Sequence, residues 1–483
     1  MSNTLDLVKL TVADAAKMLD SKQISATELT QESLRCIKAR EPEINAFISV
    51  TEEIALTRSK HVDADRATGK ALSALAGIPY SLKDVYNVVG TKTTAGSKIL
   101  ESYTSVYDAT VERKLQEAQG VLIGKTNCDS FGFGSTGEHS AFGPTKNPIN
   151  TTLVPGGSSS GSGAAVAYGG GLYSIGEDTG GSIRCPAAFC NIVGLKPTYG
   201  RVSRYGAIAY ASSYDSIGPM TKSVQDAAIV LQHIAGKDPY DATTGESAVP
   251  EYTAYLENSL HGKKIGLPKE YFVDGLDPLV RQKIMQAVEV YTSLGAEIIE
   301  ISLPNTEHAI AAYYIVGISE ASSNLGRMDG IRFGTEVEGK NWSEKIKNAR
   351  GIGFNDEAKR RIMVGTYALS AGYADQFYKK AQQVRKLLKK EFLSAFSLVD
   401  IILTPTMPVL PPKIGEDVND PLKLWLMDAF TVSVNPVGVP ALSVPVDKND
   451  VSAPVGMQLI APHFKEEVLF NFGHLYEKEV YAS

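Results

Sequence analysis

The periodicities of this chain predict an α/β fold layered around one large twisted sheet, and two stretches carry most of the prediction. Lys264–Pro268 reads as a strand, 279–294 as an amphipathic helix and 297–303 as a strand again, which makes a β-α-β unit. A long helix beginning near Asp375 then runs into the apolar stretch 399–404, which Pro405 closes. Strands alternating with helices imply layers, because each sheet face must be covered by the apolar stripe of another element.

Upstream, 76–85 (Ala-Gly-Ile-Pro-Tyr-Ser-Leu-Lys-Asp-Val) is apolar enough to be a mostly buried strand with Lys83 at or near its tip. The run 120–126 (Gly-Val-Leu-Ile-Gly-Lys-Thr) resembles a phosphate-binding loop but has three residues between its glycines where that motif has four. Those three are apolar and fit a strand better.

Composition frames these elements. With 483 residues and 43% hydrophobic content the chain can bury a large core, and no charged or Pro-rich linker divides it, so 1–483 is expected to be a single domain. Residues 1–10 lack the apolar core of a signal peptide and no apolar run approaches 18 residues, which points to a soluble cytoplasmic protein. Cys36, Cys128, Cys185 and Cys190 lack zinc-site spacing and read as reduced, packed thiols, so no metal is expected. A net charge of −6 argues against a chain that grips nucleic acid by itself. The basic clusters Lys379-Lys380 and 386–390 fall on the long helix and read as its solvated face.

The chemistry concentrates in 156–181, GGSSSGSGAAVAYGGGLYSIGEDTGG, where ten of 26 residues are glycine against about two at ordinary usage. Gly156 and Gly157 precede three serines; Gly180 and Gly181 precede one, Ser182. A hydroxyl beside glycine leaves room for a substrate carbonyl, and the N–H groups of Thr179, Gly180, Gly181 and Ser182 could hold an oxyanion, each donor contributing roughly 3–4 kcal/mol. A flexible Gly/Ser linker is the alternative, but 164–168 and 172–175 are apolar and would be misplaced in solvent. Gly157–Gly161 matches the G-x-S-x-G elbow around Ser159, yet the preceding 147–155 contains two prolines and reads as a loop where an elbow needs a strand. Gly161-Ser-Gly163 fails as a dinucleotide fingerprint because Val166 stands where Gly or Ala is required.

A serine nucleophile needs a base. None of the seven histidines lies in a comparably glycine-rich segment, which leaves lysine, whose ammonium is disfavoured by burial. Lys83 is the candidate; its own segment is equally compatible with a surface lysine paired to Asp84.

Lys83, Ser158 and Ser182, in that order, with the serines 24 residues apart, resemble the Ser-cisSer-Lys triad of the amidase signature family. The resemblance implies Ser182 as nucleophile, Ser158 as proton relay, Lys83 as base and a cis peptide between Gly157 and Ser158. It also implies the amidase signature fold, a large twisted mixed β-sheet with helices on both faces. Further blocks, 178–184 (Asp-Thr-Gly-Gly-Ser-Ile-Arg), 193–206, 211–219, 140–148, 320–324 and 359–363, are similar to the branch of that family formed by the glutamine-hydrolysing members of tRNA-dependent amidotransferases.

That branch implies a glutaminase whose pocket holds a zwitterion. Its motifs map Asp428 to the α-ammonium, Arg361 to the α-carboxylate through a two-pronged contact, and Tyr313 to the pocket wall. It implies partners as well: a B subunit that binds the Glu-tRNA(Gln) or Asp-tRNA(Asn) and uses ATP and Mg, a small C subunit, and an internal channel for ammonia, with no cofactor in the glutaminase chain. The chain departs from the family at Ser160, where glycine is expected, at Glu177, where a small residue is usual, and in the loop 133–139. The same triad would equally serve a stand-alone amidase acting on small amides, and a catalytically silent scaffold is a third, non-enzymatic reading.

Overall fold

The structure, a computed structural model, describes residues 5–416 and 421–481, with backbone only at 421, 423 and 424. Residues 1–4 of the N-terminal segment considered above lie outside the described residues. Among the described residues eleven strands form one sheet: β1 Phe47–Val50, β2 Pro79–Lys83, β3 Val121–Thr126, β4 Tyr173–Asp178, β5 Val193–Lys196, β6 Ser216–Thr221, β7 Lys264–Pro268, β8 Glu297–Ile301, β9 Ile401–Pro405, β10 Ala441–Pro445 and β11 Gly456–Ile460. Their order is β1-β3-β2-β4-β6-β5-β10-β11-β9-β7-β8. Two parallel blocks, β3-β2-β4 and β9-β7-β8, flank an antiparallel middle, so the sheet is mixed.

Every residue of β2 to β6 and of β9 to β11 is buried, whereas edge strand β8 is largely half-buried or exposed. Successive strand residues face opposite sides, so complete burial means that both faces are covered. The near-continuous apolar reading of 120–126 follows from that position: β3 lies between β1 and β2.

Element boundaries differ from the sequence expectation by a few residues. The helix expected at 279–294 is Pro278–Ser293, started by Asp277, whose Oδ1 accepts from the N–H of Leu279 at 2.8 Å, with Pro278 in the first turn. β8 ends at Ile301 because the Glu270 carboxylate takes the N–H of Leu303 at 2.8 Å and draws the chain out of the ladder. The long helix starts at Tyr378, three residues after Asp375, since 370–377 is spent on a hydrogen-bonded turn. Pro405 is the last residue of β9 and pairs with Met457. Lys379, Lys380, Lys386, Lys389 and Lys390 lie on the long helix and all are exposed, as expected of a solvated face.

Candidate active site

β2 and β4 are parallel neighbours with Leu82 opposite Ile175, so their carboxyl ends lie side by side. That edge is where ligands collect in parallel sheets. Lys83, the last residue of β2, is fully buried; its Nζ lies 2.8 Å from Ser158 Oγ and 3.4 Å from Glu177 Oε2 near the end of β4. The surface pairing with Asp84 does not occur. Asp84 points to the other side of the strand, where its Oδ1 meets Lys125 Nζ at 2.9 Å and its Oδ2 accepts from the N–H of Thr94 at 2.8 Å.

Ser158 reaches Lys83 from the loop that precedes the helix Ser160–Tyr168, and the Gly157–Ser158 peptide is cis. Gly157 is there for space: a Cβ would stand 2.2 Å from Asp129 Oδ2. Ser159 is a structural residue, its Oγ donating to the Glu177 carbonyl at 3.1 Å, and no strand leads into it, so the elbow motif is a coincidence of letters. Ser160, the departure from glycine, is buried in the first turn of that helix.

The turn after β4 presents Ser182. Asp178 organises it: its carboxylate accepts from the N–H of Gly181 at 2.9 Å and of Ile183 at 3.2 Å, and takes two bonds from Arg184, each 2.9 Å. Burial would raise this carboxyl, but the Arg184 guanidinium overrides it and holds the group at about 2. One of the four expected oxyanion donors, the N–H of Gly181, is therefore committed to the turn. The N–H groups of Thr179, Gly180 and Ser182 find no acceptor among the described residues. Gly180 is pressed against Tyr313, where a Cβ would sit 2.4 Å from the ring.

Ser182 opens into a small pocket shared with Ser135, Tyr313, Tyr314, Arg361 and Asp428. All three positions assigned to substrate binding by resemblance thus line one cavity with the candidate nucleophile. Its volume, about 10 Å³, is room for one water, so a substrate must part the walls. Asp428 accepts from the Tyr314 hydroxyl at 2.7 Å and from the Ser135 hydroxyl at 2.9 Å; burial nevertheless pushes its carboxyl up to about 6. Arg361 donates through Nε to Glu357 at 2.7 Å and through Nη1 to the Tyr210 hydroxyl at 3.0 Å, and its guanidinium lies over the ring of Phe133. Its Nη2 finds no acceptor among the described residues and stays available.

No hydrogen bond joins the hydroxyls of Ser158 and Ser182 among the described residues, although their segments touch through the N–H of Ser159 donating to the Ser182 carbonyl at 3.2 Å. Such links commonly tighten only when substrate is bound. Sequence reasoning missed Ser135, Tyr314, Tyr210 and Glu357. Ser135 sat in the departing loop 133–139, and the adjacency of Tyr314 to Tyr313 was the one available signal for it.

A family model described as Amidase matches residues 28–470. The chain belongs to the amidase family. This amidase-family chain is 49% identical over 475 residues to a Geobacter metallireducens protein named as the A subunit of glutamyl-tRNA(Gln) amidotransferase, with 98% of each chain covered. Among solved structures it resembles the crystal structure of the A subunit of glutamyl-tRNA(Gln) amidotransferase from Thermotoga maritima, at TM-score 0.81 and 39% identity over 98% of this chain and 95% of that one. It also resembles the peptide amidase of Stenotrophomonas maltophilia, at TM-score 0.82 and 30% identity over 98% and 97%.

Proposed function

We propose that this chain is the glutamine-hydrolysing component of a tRNA-dependent amidotransferase, with Ser182 as nucleophile, Ser158 as relay and Lys83 as base. The observation that carries the reading is the pocket itself: an acid, Asp428, and an arginine, Arg361, face one cavity with Ser182. A zwitterion with an ammonium and a carboxylate on one carbon suits that pair, and glutamine places its side-chain amide beyond them. The near-full-length similarity to proteins named as the A subunit of glutamyl-tRNA(Gln) amidotransferase supports placing the chain in such an enzyme.

In the reaction, Ser182 Oγ attacks the amide carbon while its proton passes to Ser158 and the Ser158 proton to Lys83 Nζ. The N–H groups of Thr179, Gly180 and Ser182 face the developing oxyanion. Collapse of the intermediate returns a proton along the relay to the departing nitrogen, which leaves as ammonia, and water then hydrolyses the γ-glutamyl ester.

The ammonia serves a partner, the B subunit, which binds the charged tRNA and uses ATP and Mg; a small C subunit makes up the third member of a cytoplasmic heterotrimer. The net charge of −6 supports giving tRNA binding to the partner. Among the described residues no helix is long and apolar enough to cross a membrane.

Ammonia release from glutamine, measured for this chain alone and after reconstitution with the B and C subunits, tests the reading. A large increase on assembly is expected, with Ser182→Ala lowering the rate at least about 1,000-fold. Glutaminase activity that survives Ser182→Ala refutes the nucleophile, and full activity of the isolated chain toward small amides would favour a stand-alone amidase.

A further inference from the structure

Glu177 stands where a small residue is usual in the family, and the structure gives it a position no small side chain could fill. Its Oε2 lies 3.4 Å from Lys83 Nζ, and both side chains are essentially buried, at 2% and 0% exposure. Lys83 therefore has two polar partners: Ser158 on the side of the relay and Glu177 on the other.

The far side of Glu177 opens on a second cavity of about 190 Å³, separate from the pocket of Ser182, lined also by Arg204, Ser212, Asp215, Tyr240 and Asp241. The charged and titratable groups around the Glu177 carboxyl come from several elements. Lys83 and Tyr86 approach from β2 and the turn after it, Cys128 from the loop after β3, Arg204 and Asp215 from the segment between β5 and β6, and Asp178 from its own strand. Asp215 is held by the Thr179 hydroxyl at 2.8 Å and by the N–H groups of Tyr210 and Ala211 at 3.0 Å each; Arg204 faces Asp241 at 3.6 Å. Among the described residues Lys83 is thus the one cation within ion-pairing distance of Glu177, whose side chain also borders the second cavity.

We propose that Glu177 is a positioning residue for the relay: its carboxylate holds the Lys83 side chain from the rear, opposite Ser158, and so sets the acid limb of the activity. The proposal rests on the assignment of Lys83 as base. An anion beside an ammonium favours the charged form, typically by 1–3 pH units for a close pair. Only the neutral amine can accept the proton from Ser158, so the carboxylate moves the onset of activity to higher pH. The same carboxylate offsets the charge that appears on Lys83 when Ser182 attacks. Burial raises the Glu177 carboxyl itself, against the opposing pull of Lys83.

Two pH profiles on the full chain test this: ammonia release from glutamine in the assembled complex, and labelling of Ser182 by an alkyl fluorophosphonate. In the labelling, Ser182 Oγ forms the P–O bond, fluoride leaves, and the hydroxyl proton passes through Ser158 to Lys83. In Glu177→Gln, which keeps the shape and loses the charge, the acid limb of both profiles is expected to move at least about one pH unit toward lower pH. Glu177→Ser, if the glutamine variant does not fold, is expected to move it in the same direction. An acid limb unchanged in a folded variant overturns the proposal, and so does complete loss of labelling, because Lys83 must remain competent without the carboxylate. Labelling that shifts with pH in a chain that releases no ammonia from glutamine supports the role of Glu177 and refutes the substrate.

Discussion

Asp428 is the residue whose chemistry depends most on its surroundings. Burial pushes its carboxyl up to about 6 against the hydroxyls of Tyr314 and Ser135, so the group is fully anionic only in the upper part of the neutral range. If it binds an ammonium, affinity must fall as pH drops through about 6, because the protonated acid carries no charge to pair. We expect KM for glutamine to rise below that pH, and Asp428→Asn to raise it roughly 10–100-fold at about pH 8 with a smaller change in kcat, as suits a lost charge-assisted bond of roughly 1.5–3 kcal/mol. Steady-state kinetics on both proteins check this; a KM unchanged in Asp428→Asn would remove the residue from substrate recognition. At this scale the sequence was legible where a motif carried the residue. Asp428 and Arg361 came from such motifs, whereas Ser135 and Tyr314 act through distances that no spacing in the chain encodes.

The elements that matter most are β2, β4 and the turn that follows β4. Two parallel strands side by side bring residues 83 and 177 together although 94 positions separate them. The turn is shaped by glycine on one side and Asp178 on the other. Gly180 leaves no space for a side chain, since an added Cβ would lie 2.4 Å from the Tyr313 ring. Gly180→Ala must displace that ring or the turn, and a shift of about 1 Å at the reacting centre costs on the order of 100-fold in rate. We therefore expect at least that loss in glutaminase activity with near-wild-type solubility; wild-type activity would mean that this turn does not border the reacting group. The glycine density of 156–181 announced such crowding. Which N–H groups remain free was not legible, because the claim of Asp178 on Gly181 arises only once the turn has closed.

At the scale of the whole molecule, Arg184 ties distant parts of the chain together. It is fully buried: two bonds go to Asp178 at the end of β4, one to Gln458 on β11, one to the Thr431 carbonyl at 3.1 Å and one to Asn435 at 2.7 Å. β6, β5 and β10 lie between β4 and β11 in the sheet, so this side chain bridges its middle. Arg184→Met would leave Asp178 buried without its cation, a change that costs about 3–5 kcal/mol. Urea unfolding should show that loss at about pH 7. The Asp178 carboxyl is held at about 2, below its unfolded value of about 3.9, so its contribution is complete above about pH 4–5 and lost as pH falls toward 2. The variant should accordingly lose that part of the acid dependence, and a ΔG of unfolding within about 0.5 kcal/mol of the parent at neutral pH would contradict the bridging role.

By itself the sequence determined the class of fold, the strand carrying Lys83, the crowded glycine turns and, through its motifs, the family chemistry; these are encoded in local periodicity and in residues near one another in the chain. Tertiary structure alone decided that Lys83 faces Ser158 and Glu177 while Asp84 turns to Lys125, that Asp178 takes one of four backbone donors, and that Asp428 and Arg361 share a cavity with Ser182. The physical reason is that hydrogen bonding, burial and the charge state of an ionisable group depend on neighbours in space, and in a mixed sheet with crossovers the neighbour in space is seldom the neighbour in the chain.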